Sequence, residues 1–378
     1  MEVLPHSEFQ ECVARYGGDH RTRSFSCHDH FLVMAFAQLT FRESLRDIEV
    51  CLRALGKKLY HMGIRGKVSR STLADANERR EWRIYRDFAM ALIERVRPLY
   101  AGEAFGVDLD NTVYALDSTT IDLCLSMFPW APFRKAKGAI KLHTLLDLRG
   151  SIPVFLQVSN GKMHDVRFLD AITPEPGAFY LMDRAYVDYQ RLYRLHQARA
   201  FFITRARKNF RFIRQSSSPV DKTTGLRCDQ RVTLKSFYPA KEYPEAFRRI
   251  HYVDMETKKT YIFLSNNLTL PAITIADLYR CRWHVELFFK WIKQHLRIKA
   301  FYGTSENAVK TQIWTAIATY LLIALLKKRL RLDPELHTLL QVFSVTLFEK
   351  IPIFEALSHE THTFRNDDED KQLILFDF

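Results

Sequence analysis

Cysteine is scarce in this sequence, and its arrangement supports no chemistry. The 378 residues hold six: Cys12, Cys27, Cys51, Cys124, Cys228 and Cys281, with no C-x-x-C pair among them. The scatter excludes a disulfide framework and a zinc ribbon, and reads as reduced thiols in a cytoplasmic protein. The run Cys27-His28-Asp29-His30 has the composition of a metal site but lacks a second ligand pair at zinc spacing. It stands ahead of an apolar run from Phe31 to Leu39 and reads as a helix start. The first residues lack a basic region followed by an apolar block, so no signal peptide is expected. Long hydrophobic runs are missing as well. The longest, Ile313 to Leu326, is too short for a membrane span, is followed by Lys327-Lys328-Arg329, and reads as a buried core helix.

Negative charge is in the minority. Lys and Arg number 56 against 43 Asp and Glu, giving a net charge of +13 and a pI near 9.4. A basic chain of this size points first to a polyanionic partner, most often nucleic acid, although a solvated basic face has the same composition. With 47% hydrophobic residues the chain can bury a real core.

No internal repeat is visible. Residues 1–105 have helical apolar spacing, clearest from His30 to Gly56, with Arg42, Glu43, Arg46, Asp47 and Glu49 on the polar side. Residues 63–72 are basic and turn-rich, and lead into a helix with Ser71 or Thr72 as N-cap. Arg65, Lys67 and Arg70, with Arg79 and Arg80 beyond, suit phosphate binding beside a helix start, and equally suit an ordinary capped loop.

From about residue 110 strands dominate. Val113 to Asp117, Ile140 to Leu148 and Ile152 to Val158 read as strands, the last two joined by a hairpin at Arg149-Gly150-Ser151. A helix near Val166 to Ile172, a strand from Phe179 to Asp183, a helix from Tyr189 to Arg199 and a strand from Ala200 to Thr204 follow. The order is that of an α/β fold. Residues 207–262 form a β-rich insertion, with strands at Arg231 to Phe237, Phe247 to Val253 and Lys259 to Leu264. One long helix is expected from Thr274 to Arg297 and another from Glu306 to Leu330, with shorter helices to about 358. The layout is thus a helical domain at 1–105, an α/β domain at 106–332, and a C-terminal segment at 333–378 with an acidic stretch at 366–370.

Asp117 and Asp183 each close an apolar strand-like run. A carboxylate there sits at the sheet edge, where it escapes the cost of unpaired burial. If the two strands are neighbours, the pair can share a hard cation, Mg²⁺ or Mn²⁺ rather than zinc; each Asp can equally just start a turn. The helix that follows the insertion carries Tyr279, Arg282, Glu286 and Lys293 at offsets of three, seven and fourteen. At about 100° per residue these fall within a stripe of about 60°, with Lys290 and Arg297 close by. One face therefore offers a metal-binding carboxylate beside phosphate-binding cations, or a solvated face with an i,i+4 salt bridge.

This Tyr-x2-Arg-x3-Glu-x6-Lys pattern resembles the signature helix of a group of bacterial insertion-sequence DDE transposases, the Tyr-Arg-Glu-Lys group. Asp117 in Ala-Leu-Asp-Ser-Thr-Thr and Asp183 in Met-Asp-Arg-Ala-Tyr resemble the group's first two acids. Asn160-Gly161-Lys162-Met163-His164-Asp165 is similar to the stretch the group has between them. The resemblance implies an RNase-H-like catalytic core and two metal ions, with Asp117 bridging them and Asp183 and Glu286 each holding one. It implies that Arg282, Lys290 and Lys293 hold phosphates and that Tyr279 orients one. The DNA partners would be terminal inverted repeats and target DNA, bound by a homodimer in the bacterial cytoplasm, with no membrane. Family members often use an aromatic side chain to hold a flipped base. None of the five tryptophans (Trp82, Trp130, Trp283, Trp291, Trp314) lies in the insertion, which leaves Tyr238, Tyr243 or Tyr252 for that role. The tail Gln372 to Phe376 resembles a sliding-clamp docking peptide. Two further readings stand: a non-catalytic DNA-binding derivative of a transposase, against which the intact set of acids argues, and a metal-dependent nuclease without strand transfer.

Overall fold

The computed structural model describes residues 4–64, 66–135, 137–295 and 301–346. Arg65, Arg297, the acidic stretch 366–370 and the tail from Gln372 to Phe376 lie outside the described residues.

Five helices come first: α1 (His6–Arg15), α2 (Cys27–Leu39), α3 (Leu45–Leu55), α4 (Arg70–Arg79) and α5 (Arg83–Tyr100). The sequence between Cys27 and His30 does start a helix. Ser26 caps α2 through a reciprocal capping box with Asp29, which satisfies two N–H groups that a helix end leaves unpaired. Helix α4 begins slightly earlier than the sequence suggests. Ser69, not Ser71 or Thr72, is its cap and accepts the N–H of Thr72; three hydroxyl residues within four positions made the position ambiguous.

The sheet region contains β1 (Val113–Leu123), β2 (Pro132–Arg134), β3 (Lys137–Asp147), β4 (Ile152–Asn160), β5 (Phe179–Met182), α6 (Tyr189–Gln197), β6 (Phe201–Arg205), β7 (Phe212–Ser218), β8 (Leu226–Leu234), α7 (Phe237–Glu242), β9 (Phe247–Val253) and β10 (Thr260–Ser265). The segment expected as a helix near Val166 is a 3-10 stretch, Asp165–Ala171. The β3–β4 hairpin turns at Gly150, whose φ of +69° suits glycine. A side chain there would also collide with the Tyr100 ring.

All ten strands belong to one sheet, in the order β2-β3-β1-β5-β6-β10-β9-β8-β7, with β4 also on β3. β1 pairs antiparallel with β3 and parallel with β5; β5 and β6 are also parallel. The 207–262 segment therefore continues the main sheet through the β6–β10 pairing.

The C-terminal helices are α8 (Ala272–Cys281), α9 (Trp283–His295), α10 (Glu306–Arg329) and α11 (Leu336–Thr346). The single long helix expected from Thr274 is broken. Arg282 stands between α8 and α9, with no Gly or Pro nearby to announce the break. α10 is long and apolar enough to cross a membrane, but 83% of its apolar window is buried inside the protein. One cluster of buried side chains runs from Phe9 in α1 through α5 and β1 to Leu325 in α10. A second lies on the other face of the sheet and includes Tyr180, Tyr186, Phe202 and Phe247.

Candidate active site

Asp117 lies inside β1 rather than at its end. The strand changes character there: Val113 to Leu116 are buried, and the next four residues are only partly so. Its neighbour in the sheet, β5, ends at Met182, and Asp183 follows at once as the cap of a short turn, accepting the N–H of Ala185 at 3.0 Å. Parallel pairing sets Leu116 opposite Met182, so each acid directly follows one member of that pair. The two come together because their strands are adjacent.

Glu286 arrives from α9, and Arg282 joins it to β1. The guanidinium of Arg282 donates to Asp117 Oδ2 at 2.7 Å and to Glu286 Oε1 at 2.5 Å. Its third nitrogen, Nε, is buried without a partner among the described residues. Burial pushes the Asp117 carboxyl up to about 6, and the charges of Glu286 and Asp183 add to the rise, against the pull of Arg282 and the Ser118 N–H. Three acids thus act on one another across this edge, with one cation between two of them.

A second polar group lies behind Asp117. Ser118 Oγ donates to Asp165 Oδ1 at 2.6 Å, and Lys141 Nζ donates to the same oxygen at 3.0 Å. Burial raises the Asp165 carboxyl, but these two donors outweigh it and hold it below the usual range. The Tyr186 hydroxyl is buried close by; burial and the charges of Asp117 and Asp165 push it well above the usual phenol value, so it stays protonated. Asp165 and Tyr186 lie in stretches that carry the family resemblance, whereas nothing in the local sequence marks Lys141 as a neighbour of Asp117. The strand register alone brings Lys141 opposite Thr120 and His143 opposite Ser118.

The remaining residues singled out from sequence divide. Lys293 Nζ donates to the Thr120 carbonyl at 2.9 Å, which ties α9 to β1. Lys290 is exposed. Tyr279, on α8 rather than on the helix of Glu286, is 8% exposed and packs on Phe263 with 4.8 Å between ring centroids. Its hydroxyl is buried with no partner among the described residues. Lys67 and Arg70 are exposed. Arg79 pairs with Asp75 at 2.9 Å, and Arg80 donates to the carbonyls of Phe25 and Ser26, so it serves the fold. Of the tyrosines considered for a flipped base, Tyr243 is 1% and Tyr252 6% exposed, whereas Tyr238 is 77% exposed beside Phe237. Only Tyr238 offers a ring surface.

Among the described residues no group of three His, Cys, Asp or Glu side chains is gathered closely enough to hold a metal ion. The donor chemistry nevertheless fits a hard divalent cation: two of three carboxylates already share one positive charge, and all are oxygen donors. Arg282 supplies that charge between Asp117 and Glu286.

The chain is similar in sequence to several transposases. A putative transposase of Sinorhizobium fredii is 31% identical over 62% of this chain and 66% of its own length. A probable transposase for insertion sequence element IS5377 of Geobacillus stearothermophilus is 28% identical over 55% of each chain. A putative transposase for insertion sequence element IS4SA of a Synechocystis strain is 24% identical over 75% of this chain and 78% of its own. The chain thus spans somewhat under two thirds of the first of these relatives and about half of the second. Residues 1–65 match a domain of unknown function. Residues 108–322, which contain all three acids and Arg282, match the transposase DDE domain, and the chain belongs to that family.

Proposed function

We propose that this protein is an insertion-sequence DNA transposase of the Tyr-Arg-Glu-Lys group. It cuts at the terminal inverted repeats of its element and joins the ends to target DNA by metal-assisted phosphoryl transfer. The observation that carries the reading is the juxtaposition of Asp117 and Glu286 through Arg282, with Asp183 at the end of the neighbouring parallel strand. The succession β4-β3-β1-β5-β6, antiparallel and then parallel, supports an RNase-H-like core. A net charge of +13 supports double-stranded DNA as partner.

In this reading Asp117, Asp183 and Glu286 are the catalytic and metal-binding residues. Bound Mg²⁺ or Mn²⁺ would lower the pKa of an attacking water or 3′-hydroxyl and neutralise charge on the leaving oxygen. Arg282 keeps two of the acids paired until the ion arrives, and once released its guanidinium can meet a phosphate oxygen. Lys293 fixes α9, and with it Glu286, against β1. Asp165, with Ser118 and Lys141, steadies the β1 segment that carries Asp117. Tyr279 supports Arg282 from the α8 side. Two DNA ends brought together by a homodimer complete the proposal.

The test is a cleavage and joining assay on the element's own ends with Mg²⁺. Asp117→Asn and Glu286→Gln should abolish cutting while DNA binding persists. Mg²⁺-dependent cleavage retained by either variant overturns the assignment. Cutting without joined products favours a nuclease without strand transfer.

A further inference from the structure

Two of the cations expected to clamp phosphate near Glu286 are engaged within the fold, and Lys290 is exposed. Arg282 binds two carboxylates and Lys293 a backbone carbonyl. Basic side chains of another kind stand on the Asp183 side. A hollow of about 520 Å³ is lined by Asp183, Arg184, Ala185, Arg207 and Lys208. Arg184 belongs to the turn after β5, and Arg207 and Lys208 to the link between β6 and β7. All three cations are exposed, and no carboxylate lies within ion-pair reach of any of them among the described residues. A long hydrogen bond, from Arg207 Nε to the Arg184 carbonyl at 3.5 Å, joins the two segments.

Three like charges around one cavity repel one another unless an anion neutralises them. A single carboxylate, Asp183, leaves the hollow net positive. The feature also continues. A second hollow of about 330 Å³ shares Arg207 and adds Asn209 and Arg211, together with the carboxylates Asp188 and Glu242, so its charges balance. The excess positive charge lies in the first hollow, and the track runs from Asp183 past Arg184, Arg207 and Lys208 to Asn209 and Arg211 at the start of the outer sheet.

We propose that this track is a DNA-strand site, in which Arg184, Arg207 and Lys208 hold a backbone phosphate next to Asp183, and Arg211 with Asn209 receives the strand beyond it. The inference rests on the transposase reading and deepens it. The link into the outer strands then has a role in the site, since it supplies phosphate contacts in place of Arg282 and Lys293, which are engaged with Asp117, Glu286 and the Thr120 carbonyl. A phosphodiester suits the hollow because a guanidinium can bind two of its oxygens and the ammonium a third position.

The experiment is a salt titration of binding by the full chain to a duplex of the element's end, in EDTA, followed by fluorescence anisotropy. Arg207→Ala with Lys208→Ala should lower the slope of log K against log salt by about 2, because each lost phosphate contact removes about 0.9. Affinity at moderate salt should fall about 10- to 100-fold, with an unchanged melting temperature because both side chains are exposed. Arg53→Ala, on α3, should leave the slope as it is. An unchanged slope in the double variant overturns the site while the transposase reading stands. An equal drop in Arg53→Ala shows a general charge effect and overturns it too. A wild-type chain that fails to bind the duplex at any salt removes both. Saturable binding of pyrophosphate by the wild type, lost in the double variant with the duplex slope unchanged, would mark a small-anion site and not a DNA track.

Discussion

The guanidinium of Arg282 lies 2.7 Å from Asp117, a residue 165 positions earlier in the chain. Both side chains are mostly buried, 14% and 22% exposed, so the pair is more than a surface ion pair.

Removing this cation should be costly without metal. Arg282→Gln leaves Asp117 and Glu286 facing each other, and a loss of about 2–4 kcal/mol is expected for a largely buried pair broken on one side. Mg²⁺ should restore part of it, because the ion supplies the missing charge and binds the folded state. Thermal melts in EDTA and in Mg²⁺ check this. A larger Mg²⁺ stabilisation in wild type than in Arg282→Gln would contradict the displacement picture.

Acid should weaken the N-terminal helices through His30. This ring is fully buried, with Nε2 donating to Asn77 Oδ1 at 3.0 Å and Nδ1 accepting from the Tyr85 hydroxyl at 2.6 Å. Burial, aided by Arg80, pushes its pKa down to about 3. The unfolded chain takes up a proton near pH 6.5 and the folded one does not. Stability from neutral His30 is therefore present above about pH 6.5 and is lost as pH falls toward 3, by up to about 1.4 kcal/mol per pH unit. Denaturant unfolding of wild type and His30→Gln at neutral and mildly acidic pH should show their difference shrinking with acid; a constant difference would refute the account.

Arg248 and Asp229 form a bidentate pair between β9 and β8 at 2.8 and 2.6 Å. Arg248 also donates to the Leu270 carbonyl just before α8. Arg248→Ala should cost about 3–5 kcal/mol, and the double variant Arg248→Met, Asp229→Leu should regain most of it. Urea unfolding curves decide. A small loss in the single variant would show that the pair is not what fastens the outer strands.

The helices before residue 100 should not be removable. Tyr85, Phe88, Leu92 and Val96 in α5 are fully buried in the same cluster as α10, and Tyr100 donates to the Ala324 carbonyl at 3.0 Å. Each lost apolar contact of this size costs about 1.5–3 kcal/mol, and a few exceed an ordinary folding free energy. A chain lacking residues 1–100 should be insoluble or unfolded by circular dichroism. Their part in DNA recognition is better probed by Lys67→Ala with Arg70→Ala, both exposed, which should lower affinity for the element's end and leave the melting temperature within about 0.5 kcal/mol equivalent.

Periodicity and turn chemistry made much of the fold legible: β3, β4, the Arg149-Gly150-Ser151 hairpin and the short β5 ending before Asp183 all stand where apolar runs and Gly place them. What was not legible is non-local. The break at Arg282 has no Gly or Pro, and it coincides with the guanidinium's contact to Asp117. The β6–β10 pairing joins residues about sixty apart and turns an apparent insertion into part of the main sheet. The acids and Arg282 could be marked as a pattern, but the sequence could not say that Arg282 would face inward to two carboxylates, nor that Arg184, Arg207 and Lys208 would share a hollow. Tyr243 and Tyr252 differ from Tyr238 only in burial, which pairing and packing decide.

The buried α10 has a consequence for how the molecule comes into being. The first five helices emerge from the ribosome early, yet the apolar face they need is made some two hundred residues later. Until Glu306 to Arg329 has been synthesised, α5 lacks its most extensive partner and has chiefly α1 and β4 to pack on. Completion of the N-terminal core thus waits for α10 to be synthesised. A message truncated within the DDE region would yield a chain with its apolar helices exposed, fit for proteolysis rather than for competition with the full-length protein at DNA ends.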